Sequence, residues 1–255
     1  MTREQRDKTL FNRIASKYAW KDSSVSSALA RKNKLISVLK PVLAVRPNLG
    51  TIVDIGCGVG GPAKYLVGYY ERYIGIDYSE ELIEAAKIFN LGNPKAEFIA
   101  ASIKSKDLSQ NVADVVLSDG ALHHMTELDV VMESLARIAK PGAFVVVIEP
   151  QNANPLIRGM RWLRGFLDST YSREQIFFSQ GDLRNLFSVA GITDLSFDYQ
   201  GFFSTPFAEV VMAPQALAIP FSRLASSMDR WLQINLPAVM KKFSFNIVAI
   251  GRFPK

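Results

Sequence analysis

Two short stretches of the sequence carry glycines and acidic residues in a pattern that can hold an adenosine-containing ligand. The first, VDIGCGVGG, spans residues 53–61, and the second, YIGIDYS, ends an apolar run in Asp77. Glycines that follow a strand let the backbone approach a ligand closely and adopt dihedral angles that a side chain forbids. An acidic residue at the end of the next strand can accept hydrogen bonds from two ribose hydroxyls.

The glycine spacing and the acid before the loop distinguish two kinds of adenosine ligand. Gly56, Gly58 and Gly60 read GxGxG, whereas a dinucleotide-binding loop reads GxGxxG. Asp54 lies two residues before the first glycine, at a position that the dinucleotide fingerprint usually keeps apolar. Both features favour an adenosine ligand other than a dinucleotide.

Candidate acid–base residues follow two later apolar runs. His123 and His124 are the only histidines and come just after ADVVLSDG, while Glu149 comes at the end of AFVVVIEP. A side chain of this kind at a strand end can remove a proton from an acceptor substrate, and Asp119 is a further candidate. A structural role for the histidine pair is the alternative. The histidines form no spaced ligand set with carboxylates, and Cys57 is the single cysteine, so we expect no metal site.

Strand-like and helix-like runs alternate in the middle of the chain. The apolar runs are GTIVDIG, RYIGIDYS, AEFIAAS, ADVVLSDG and AFVVVIEP. The amphipathic runs between them are GPAKYLVGYYE, SEELIEAAKIFN and LDVVMESLARIAKPG, the second beginning at the N-cap Ser79 and the third ending at Pro141-Gly142. This order predicts an α/β fold, with a mostly parallel sheet and helices on both faces.

The rest of the chain predicts a helix, two more strands and a helical insert. SQGDLRNLFSVAG is typical of a helix, and LSFDYQG and FSFNIVAIGRF are typical of strands, which brings the sheet to seven strands. The segment between these strands is too long for a hairpin loop. We therefore divide the chain into an N-terminal helical segment (1–48), a core (49–200), a helical cap over the sheet edge (201–242) and the last strand (243–255).

The motifs and their order resemble those of the class I S-adenosylmethionine-dependent methyltransferases. VDIGCGVGG, IGIDYS, ADVVLSDGALHHM and IAKPGAFVVVIEP correspond to successive motifs of that superfamily, and the resemblance covers roughly residues 10–200. It implies a Rossmann-like fold, S-adenosyl-L-methionine as cofactor, S-adenosyl-L-homocysteine as product, and methyl transfer as the reaction. Such a transfer needs mainly the alignment of donor and acceptor.

The resemblance implies a set of residues for the methionine and ribose parts of the cofactor. Gly56, Cys57 and Gly58 would line the methionine moiety, with Cys57 acting through its backbone. Asp54 would orient this loop or contact the amino group through water. Asp77 would bind the ribose hydroxyls.

Further residues are implied for the adenine ring and for the end of the fourth strand. Tyr78 would lie beside the adenine, with core packing as its alternative role. Ser102 stands where the superfamily often has an aspartate for the adenine amino group, and the backbone amide of Ile103 could serve adenine N1. Ser118 and Asp119 complete the predicted cofactor-binding set.

The N-terminal segment FNRIASKYAW resembles the lid of many methyltransferases of this superfamily. Tyr18 would then close over the carboxylate of the cofactor. Packing of Tyr18 between helices is the alternative role.

The acceptor is predicted from motifs that are missing and from the apolar cap. Base-modifying methyltransferases carry an Asn/Asp-Pro-Pro-aromatic motif where this chain reads SDGALHHM, so we expect no nucleic-acid partner. The cap region carries arginines among large apolar residues: Leu156, Ile157, Arg158, Met160, Arg161, Trp162, Leu163, Arg164, Phe207, Met212, Leu217, Phe221, Leu224, Trp231 and Leu236. We predict a small apolar or amphipathic acceptor.

Several hypotheses about the acceptor and about the role of the cap stay open. The chain could methylate a membrane lipid or a quinone, with peripheral membrane contact through the cap. It could instead methylate tRNA or rRNA, or serve as a non-catalytic scaffold that binds the cofactor. The cap could also pack on the sheet or on a second subunit.

Composition limits the class of protein. The 255 residues are 48% hydrophobic, enough for one α/β domain with an elaboration. Residues 1–50 carry 11 Lys/Arg and 3 Asp/Glu, so much of the net charge of +6 comes from the N-terminal part. There is no apolar leader and no apolar run of transmembrane length, which predicts a cytoplasmic protein.

Overall fold

The computed structural model of the chain describes residues 2–152, 154–155, 158–159, 162, 176–211 and 213–254. The strands within these ranges are β1 (Thr51–Ile55), β2 (Arg72–Asp77), β3 (Ala96–Ala100), β4 (Ala113–Asp119), β5 (Ala139–Pro150), β6 (Thr193–Gln200) and β7 (Asn246–Arg252). They form one sheet in the order β3-β2-β1-β4-β5-β7-β6. Strand β7 pairs antiparallel with both β5 and β6, and the other pairs are parallel.

This topology brings the predicted site residues to one edge of the sheet. The chain runs outward from β1 through β2 to β3, then returns to β4 on the other side of β1. A parallel sheet with such a reversal has a crevice where the neighbouring strands end, and ligands bind there. The prediction of a seven-stranded, mostly parallel Rossmann-like sheet is confirmed.

The helices of the described residues lie between and around these strands. They are α1 (Arg3–Ser23), α2 (Val25–Val45), α3 (Gly61–Tyr65), α4 (Glu80–Phe89), α5 (Leu128–Ile138), α6 (Gln180–Val189), α7 (Thr205–Glu209), α8 (Gln215–Asn235) and α9 (Pro237–Phe243), with a 3-10 turn at Leu122–His124. Ser79 caps α4 as predicted, because its hydroxyl accepts the amide N–H of Leu82 at 3.2 Å. No helix within the described ranges is both long enough and apolar enough to cross a membrane.

Two helices are shorter than the sequence pattern predicts. Helix α3 ends at Tyr65 because Gly68 adopts a φ of +92° and the hydroxyl of Tyr70 donates to the carbonyl of Ala63 at 2.7 Å. Helix α5 ends at Ile138, before Pro141-Gly142, because Ala139 already pairs with β4. In addition, the helical conformation is unfavourable for Lys140 because a proline follows it.

Buried apolar residues cover both faces of the sheet. One face carries Val53, Ile55, Val116, Val145 and Val147, and the other carries residues of α2 with Ile52, Tyr73, Val115 and Leu117. Because successive residues of a strand point to opposite faces, strands buried on both sides are nearly continuously apolar. Hydrophobic burial on both faces therefore holds the strand ends, and the side chains on them, in fixed positions.

The segment predicted as a cap contains α7, α8 and α9. Helices α7 and α8 pack against α2, and α8 and α9 reach the edge strand β6. The side-chain amide of Gln233 donates to the carbonyl of Tyr199 at 3.1 Å, which joins α8 to that strand. Part of the predicted cap surface, namely Leu156, Ile157, Met160, Arg161, Leu163, Arg164 and Met212, lies outside the described residues.

Candidate active site

The glycine loop between β1 and α3 is built on left-handed backbone. Gly56, Gly58 and Gly60 have φ values of +64°, +54° and +69°, which other residues adopt at a cost. A side chain at Gly56 would collide with Ala121, and one at Gly60 would come within 2.6 Å of the Phe98 ring. A Cβ at Gly58 would meet none of the described atoms within 4 Å. Gly58 therefore borders open space.

Asp77 ends β2 directly below this loop. Its carboxylate accepts the amide N–H of Gly58 at 3.0 Å and that of Ser79 at 2.9 Å. Burial raises the pKa of Asp77, although the backbone hydrogen bonds oppose that shift. A carboxylate has lone pairs beyond these two contacts, so Asp77 can still accept hydrogen bonds from a ligand in the crevice.

Asp54 is fully buried beneath the loop rather than open to it. The hydroxyl of Tyr73 donates to its carboxylate. Burial raises the pKa of Asp54 to about 8, and the nearby Asp119 and Asp77 add to the shift. The arrangement fits the predicted role of orienting the loop, since Asp54 lies on β1 just before Gly56.

The residues predicted around the adenine divide into two groups. Tyr78 follows Asp77 and is partly buried, with the Phe11 ring of α1 6.5 Å away in edge-to-face geometry. Ser102 is exposed and its hydroxyl accepts the amide N–H of Lys104 at 3.3 Å, whereas the Ile103 side chain belongs to the buried core. Ile103 could therefore serve a ligand through its backbone alone.

Cys57 fits the backbone role that the sequence predicts for it. The thiol is buried, and a Cβ on Gly75 would lie within 2.8 Å of its Sγ. Burial raises the pKa of Cys57 well above its ordinary value. A buried thiol that stays protonated fills space and is a poor nucleophile.

The end of β4 places Ser118 and Asp119 in different surroundings. The Ser118 hydroxyl is buried and has no hydrogen-bond partner among the described residues. Asp119 accepts a hydrogen bond from Lys34 of α2, with 3.0 Å between Oδ1 and Nζ. The sequence pattern did not identify Lys34, because nothing in the spacing along α2 shows that this helix passes over the end of β4.

Glu149 organises the turn that carries the histidines. It is fully buried on β5, and its Oε1 accepts the amide N–H groups of Ala121 at 3.0 Å and Leu122 at 2.7 Å. Its Oε2 lies 2.7 Å from Nδ1 of His123. An imidazole that donates from Nδ1 to a carboxylate keeps Nε2 free as an acceptor, and no described residue hydrogen-bonds Nε2 of His123. Glu149 thus positions His123.

His124 faces α1 instead. Its Nδ1 lies 3.4 Å from Oδ2 of Asp7, and its ring packs edge-to-face on Phe11 with 4.9 Å between centroids. Burial lowers the pKa of His124, although the contact with Asp7 opposes the shift. The adjacent His123 ring is 4.1 Å away. Of the two histidines, His124 is the one held by the N-terminal helix.

Helix α1 lies across the crevice and contacts the loops that follow β2, β3 and β4. The Arg3 guanidinium donates to the carbonyl of His123 at 2.6 Å, and Glu4 pairs with Lys104 at 2.7 Å. Asn12 accepts a hydrogen bond from the Ser79 hydroxyl at 2.6 Å. Tyr18 is partly buried on the same helix, with Lys21 Nζ 4.5 Å from its ring centroid. The polar contacts of α1 were not predicted from the sequence.

Residues 53–147 match a family model described as a methyltransferase domain. This segment is a methyltransferase domain. It contains the glycine loop, Asp77 and the histidine turn, and it ends two residues before Glu149.

The chain is similar to two curated relatives whose names mention quinone biosynthesis and a sterol. The chain is 28% identical over 160 residues to a ubiquinone/menaquinone biosynthesis C-methyltransferase of Syntrophotalea carbinolica, which covers 61% of this chain and 66% of that protein. It is 28% identical over 133 residues to a sterol 24-C-methyltransferase of Pneumocystis carinii, covering 51% of this chain and 34% of that protein. The chain thus spans less than two thirds of the length of both relatives.

A solved structure shares the fold of the methyltransferase domain. Phosphoethanolamine N-methyltransferase 2 of Haemonchus contortus, solved with phosphomonomethylethanolamine and S-adenosylhomocysteine, matches with a TM-score of 0.57 at 15% identity. The match covers 86% of this chain and 52% of that one. The predicted methyltransferase superfamily is confirmed for residues 53–147, and S-adenosylmethionine is the cofactor of that family. Methyl transfer by the whole chain stays a proposal. The roles of the individual residues stay predictions.

The described residues offer no competing metal centre. They contain no group of three His, Cys, Asp or Glu side chains that could hold a metal ion. The crevice under α1 instead offers a glycine loop, a carboxylate and an oriented imidazole, which suit an adenosine ligand and a proton-bearing acceptor.

Proposed function

We propose that this chain transfers a methyl group from S-adenosylmethionine to a small apolar or amphipathic acceptor. The observation that carries the proposal is the arrangement at the carboxyl edge of the sheet. Open space borders Gly58, Asp77 lies beneath the same loop, and Glu149 orients the imidazole of His123 across the crevice. These groups belong to neighbouring strands, so one bound pair of reactants can contact all of them.

The chemistry divides between the cofactor and the chain. When bound, the cofactor supplies an activated methyl group on a sulfonium with a good leaving group. Gly58 and Asp77 would hold the cofactor, and α1, which contacts the loops after β2, β3 and β4, would lie over it. His123 accepts a proton from the acceptor at Nε2, because Glu149 holds the other ring nitrogen as the donor.

The two curated relatives support methylation of a carbon atom on an apolar molecule. They carry a quinone pathway and a sterol in their names. Around the loop, a Cβ on Gly56 would touch Ala121 and lie 3.8 Å from Met125, so the wall next to the histidine turn is apolar. An apolar wall beside an oriented base suits a largely hydrophobic acceptor with one acidic position.

A small cavity next to this edge supports an amphipathic acceptor. It has a volume of about 30 Å³ and is lined by Lys34, Gln200 and Arg230, among others. Both polar atoms of the Gln200 amide are buried without a hydrogen-bond partner among the described residues. Lys34 also contacts Asp119 at the end of β4, so a polar group of the acceptor in this cavity lies close to the strand ends.

The proposal is tested with methyl-labelled S-adenosylmethionine and a panel of acceptors. The panel holds a demethylated quinone, a sterol, phosphoethanolamine and total tRNA, and the products are divided among organic solvent, water and nuclease-sensitive precipitate. We expect label in the organic phase. Label only in the aqueous or nuclease-sensitive fraction, or cofactor binding without any label, would contradict the acceptor class and favour the small polar, RNA or scaffold alternative respectively.

The role of His123 is tested separately from cofactor binding. His123→Ala should lower kcat at least about tenfold, because a general base contributes ~10²–10⁴-fold. The affinity for S-adenosylhomocysteine should stay within about twofold, since the imidazole serves the acceptor. Glu133→Gln, an exposed change on α5, is the control. An unchanged kcat in His123→Ala would show that the histidine is structural.

A further inference from the structure

The small polar cavity beside the strand ends lies between α2, α8 and the end of β6. It has a volume of about 30 Å³, and its lining includes Lys34 of α2, Gln200 of β6 and Arg230 of α8. Most of the other described lining residues carry an amide or a hydroxyl group. A cavity needs roughly 10–15 Å³ to hold one water molecule, so this cavity has room for about two water-sized groups.

Gln200 is the residue of the cavity that indicates a ligand. It is 3% exposed, and neither the nitrogen nor the oxygen of its side-chain amide has a hydrogen-bond partner among the described residues. A buried amide without partners destabilises the folded protein, so native proteins rarely keep one without a further role. The Gln200 amide can donate hydrogen bonds to a polar group that enters the cavity.

Arg230 is the lining charge that has no ionic partner within the described part of the chain. Lys34 pairs with Asp119, with 3.0 Å between Nζ and Oδ1. Asp229 is the only acid among the described lining residues, and its carboxylate already accepts the amide N–H groups of residues 202–204 at 2.8–3.1 Å. The exposed guanidinium of Arg230 is therefore left to attract an anionic group, and the Lys34 ammonium has further N–H donors beyond its contact with Asp119.

The cavity lies at the same edge of the sheet as the proposed methyl-transfer site. Strand β7 is antiparallel to both β5 and β6, so Gln200 ends β6 at the edge where Asp119 ends β4. Strands β5 and β7 lie between these two ends, and three strand spacings separate them by about 14 Å. Lys34 spans part of this distance, because it lines the cavity and contacts Asp119. The next residue, Gly120, borders the imidazole, since a Cβ there would lie 3.9 Å from Cε1 of His123.

We propose that Gln200, Lys34 and Arg230 bind a carboxylate at one end of the methyl acceptor. This inference rests on the proposed methyl transfer and narrows its acceptor to an elongated apolar acid, which organic solvent extracts once its carboxyl group is protonated. A carboxylate fits because its two oxygens match the space for about two water-sized groups, whereas a phosphate with four oxygens exceeds it. Guanidinium, ammonium and amide N–H groups all donate to carboxylate oxygens, and hydrogen bonds to a charged acceptor are the stronger ones. Because the cavity and the imidazole lie apart along the edge, the carboxylate must be several bonds away from the methylated atom.

The proposal is tested by the binding of simple probes to the whole chain, measured by saturation-transfer NMR without cofactor. The probes are octanoate, octan-1-ol and acetate. We expect octanoate to bind at least about tenfold more tightly than octan-1-ol, because only the carboxylate gains charge-assisted hydrogen bonds. Octanoate should also bind more tightly than acetate, because its chain buries apolar surface in the crevice. Since no turnover is measured, absence of this binding and absence of methyl transfer are separate results.

Variants distinguish a carboxylate site from a polar cavity that holds only water. Gln200→Met keeps the length of the side chain and removes both polar atoms. It should weaken octanoate binding by about tenfold and leave the Tm unchanged or higher, because the amide that it removes has no partner among the described residues. Arg230→Gln should weaken octanoate binding by about threefold or more. The matched control is Arg223→Gln, because Arg223 is also exposed on α8 but does not line the cavity, so this variant should bind octanoate as the unchanged chain does.

Four results would overturn the proposal. The first is equal binding of octanoate and octan-1-ol by the unchanged chain. The second is acetate that binds as tightly as octanoate, which would indicate a site for a free small anion and not for the acceptor. The third is unchanged octanoate binding in Gln200→Met, with thermal unfolding showing that the variant is folded. The fourth is equal octanoate affinity of Arg230→Gln and Arg223→Gln.

Discussion

Helices α1 and α8 have the same length, 21 residues, but opposite relations to the protein. Helix α1 turns polar side chains inward, where Arg3, Asp7 and Asn12 contact the loops around the crevice. Helix α8 turns small residues inward and large apolar residues outward. Polar contacts with the crevice loops therefore hold α1, whereas close packing of small residues holds α8.

The first prediction tests how α8 is fixed. The Asp229 carboxylate accepts the amide N–H groups of Phe202, Phe203 and Ser204 at 2.8–3.1 Å. Asp229→Ala should lower the free energy of unfolding by about 3 kcal/mol, because three partly buried amide donors lose a charged partner. Trp231→Ala changes a side chain of α8 that is 57% exposed, and it should change the free energy of unfolding by less than about 0.5 kcal/mol. Urea unfolding measures the free energy of unfolding of both variants. Similar decreases in the two variants would contradict the assignment of an inner and an outer face to α8.

The second prediction tests the crevice beneath α1. Gly58→Ala should weaken the binding of S-adenosylhomocysteine by about tenfold or more, since the new methyl group enters the space that the ligand needs. Gly92→Ala is the matched control: both positions have positive φ values, +54° and +85°, and at both an added Cβ would meet no described atom within 4 Å. In both variants the free energy of unfolding should fall by a similar amount, about 1 kcal/mol. Titration calorimetry measures the affinity of each variant for S-adenosylhomocysteine. Equal affinities of Gly58→Ala and Gly92→Ala would show that Gly58 does not line the cofactor site.

The third prediction concerns the buried acid under the glycine loop. Because burial raises the pKa of Asp54 to about 8, the folded protein keeps a proton that the unfolded chain loses near pH ~4. The free energy of unfolding therefore falls as the pH rises through this window, by at most about 1.4 kcal/mol per pH unit. Asp54→Asn keeps an acceptor for Tyr73 without the charge, so it should reduce that slope.

Urea unfolding at several pH values between about 5 and 8 measures this slope. Part of it should remain in Asp54→Asn, because burial also raises the pKa of Asp77. The variant should gain stability over the unchanged chain toward pH 8. An unaltered slope would show that Asp54 does not carry the proton.

The smallest effect is expected where α1 meets the loop after β3. Lys104 Nζ lies 2.7 Å from both Glu4 and Glu127 on partly exposed surface. Lys104→Ala should raise the dissociation rate of S-adenosylhomocysteine about two- to threefold, since an exposed pair contributes ~0.2–1 kcal/mol. The exposed Lys106→Ala serves as the control. A rate unchanged in Lys104→Ala would argue against α1 as a lid.

The parts of the fold that the sequence predicts well are those set by local pattern. The glycine loop, the acidic end of β2 and the N-cap of α4 each follow from residue types within a few positions. The buried strands follow from continuous apolar runs. By contrast, the short α3 and the early end of α5 depend on a positive φ at Gly68 and on the pairing of Ala139, which local pattern does not show.

The less predictable parts of the site depend on contacts between distant segments. Asn12 meets Ser79, and Lys34 meets Asp119, through packing of the first two helices on the crevice. Glu149 was predicted as a catalytic residue, but only the structure shows that it holds two backbone amides and His123. Likewise, the apolar periodicity of α8 indicates one apolar face and does not indicate what covers it.

We propose above that the crevice under α1 supports methyl transfer to an apolar acceptor. The most direct measurement follows the label of methyl-labelled S-adenosylmethionine into organic-soluble product in the unchanged chain, Gly58→Ala and Gly92→Ala. We predict label in the organic phase for the unchanged chain and Gly92→Ala, and at least about tenfold less label for Gly58→Ala. Label confined to the aqueous phase, or equal labelling by all three proteins, would contradict it.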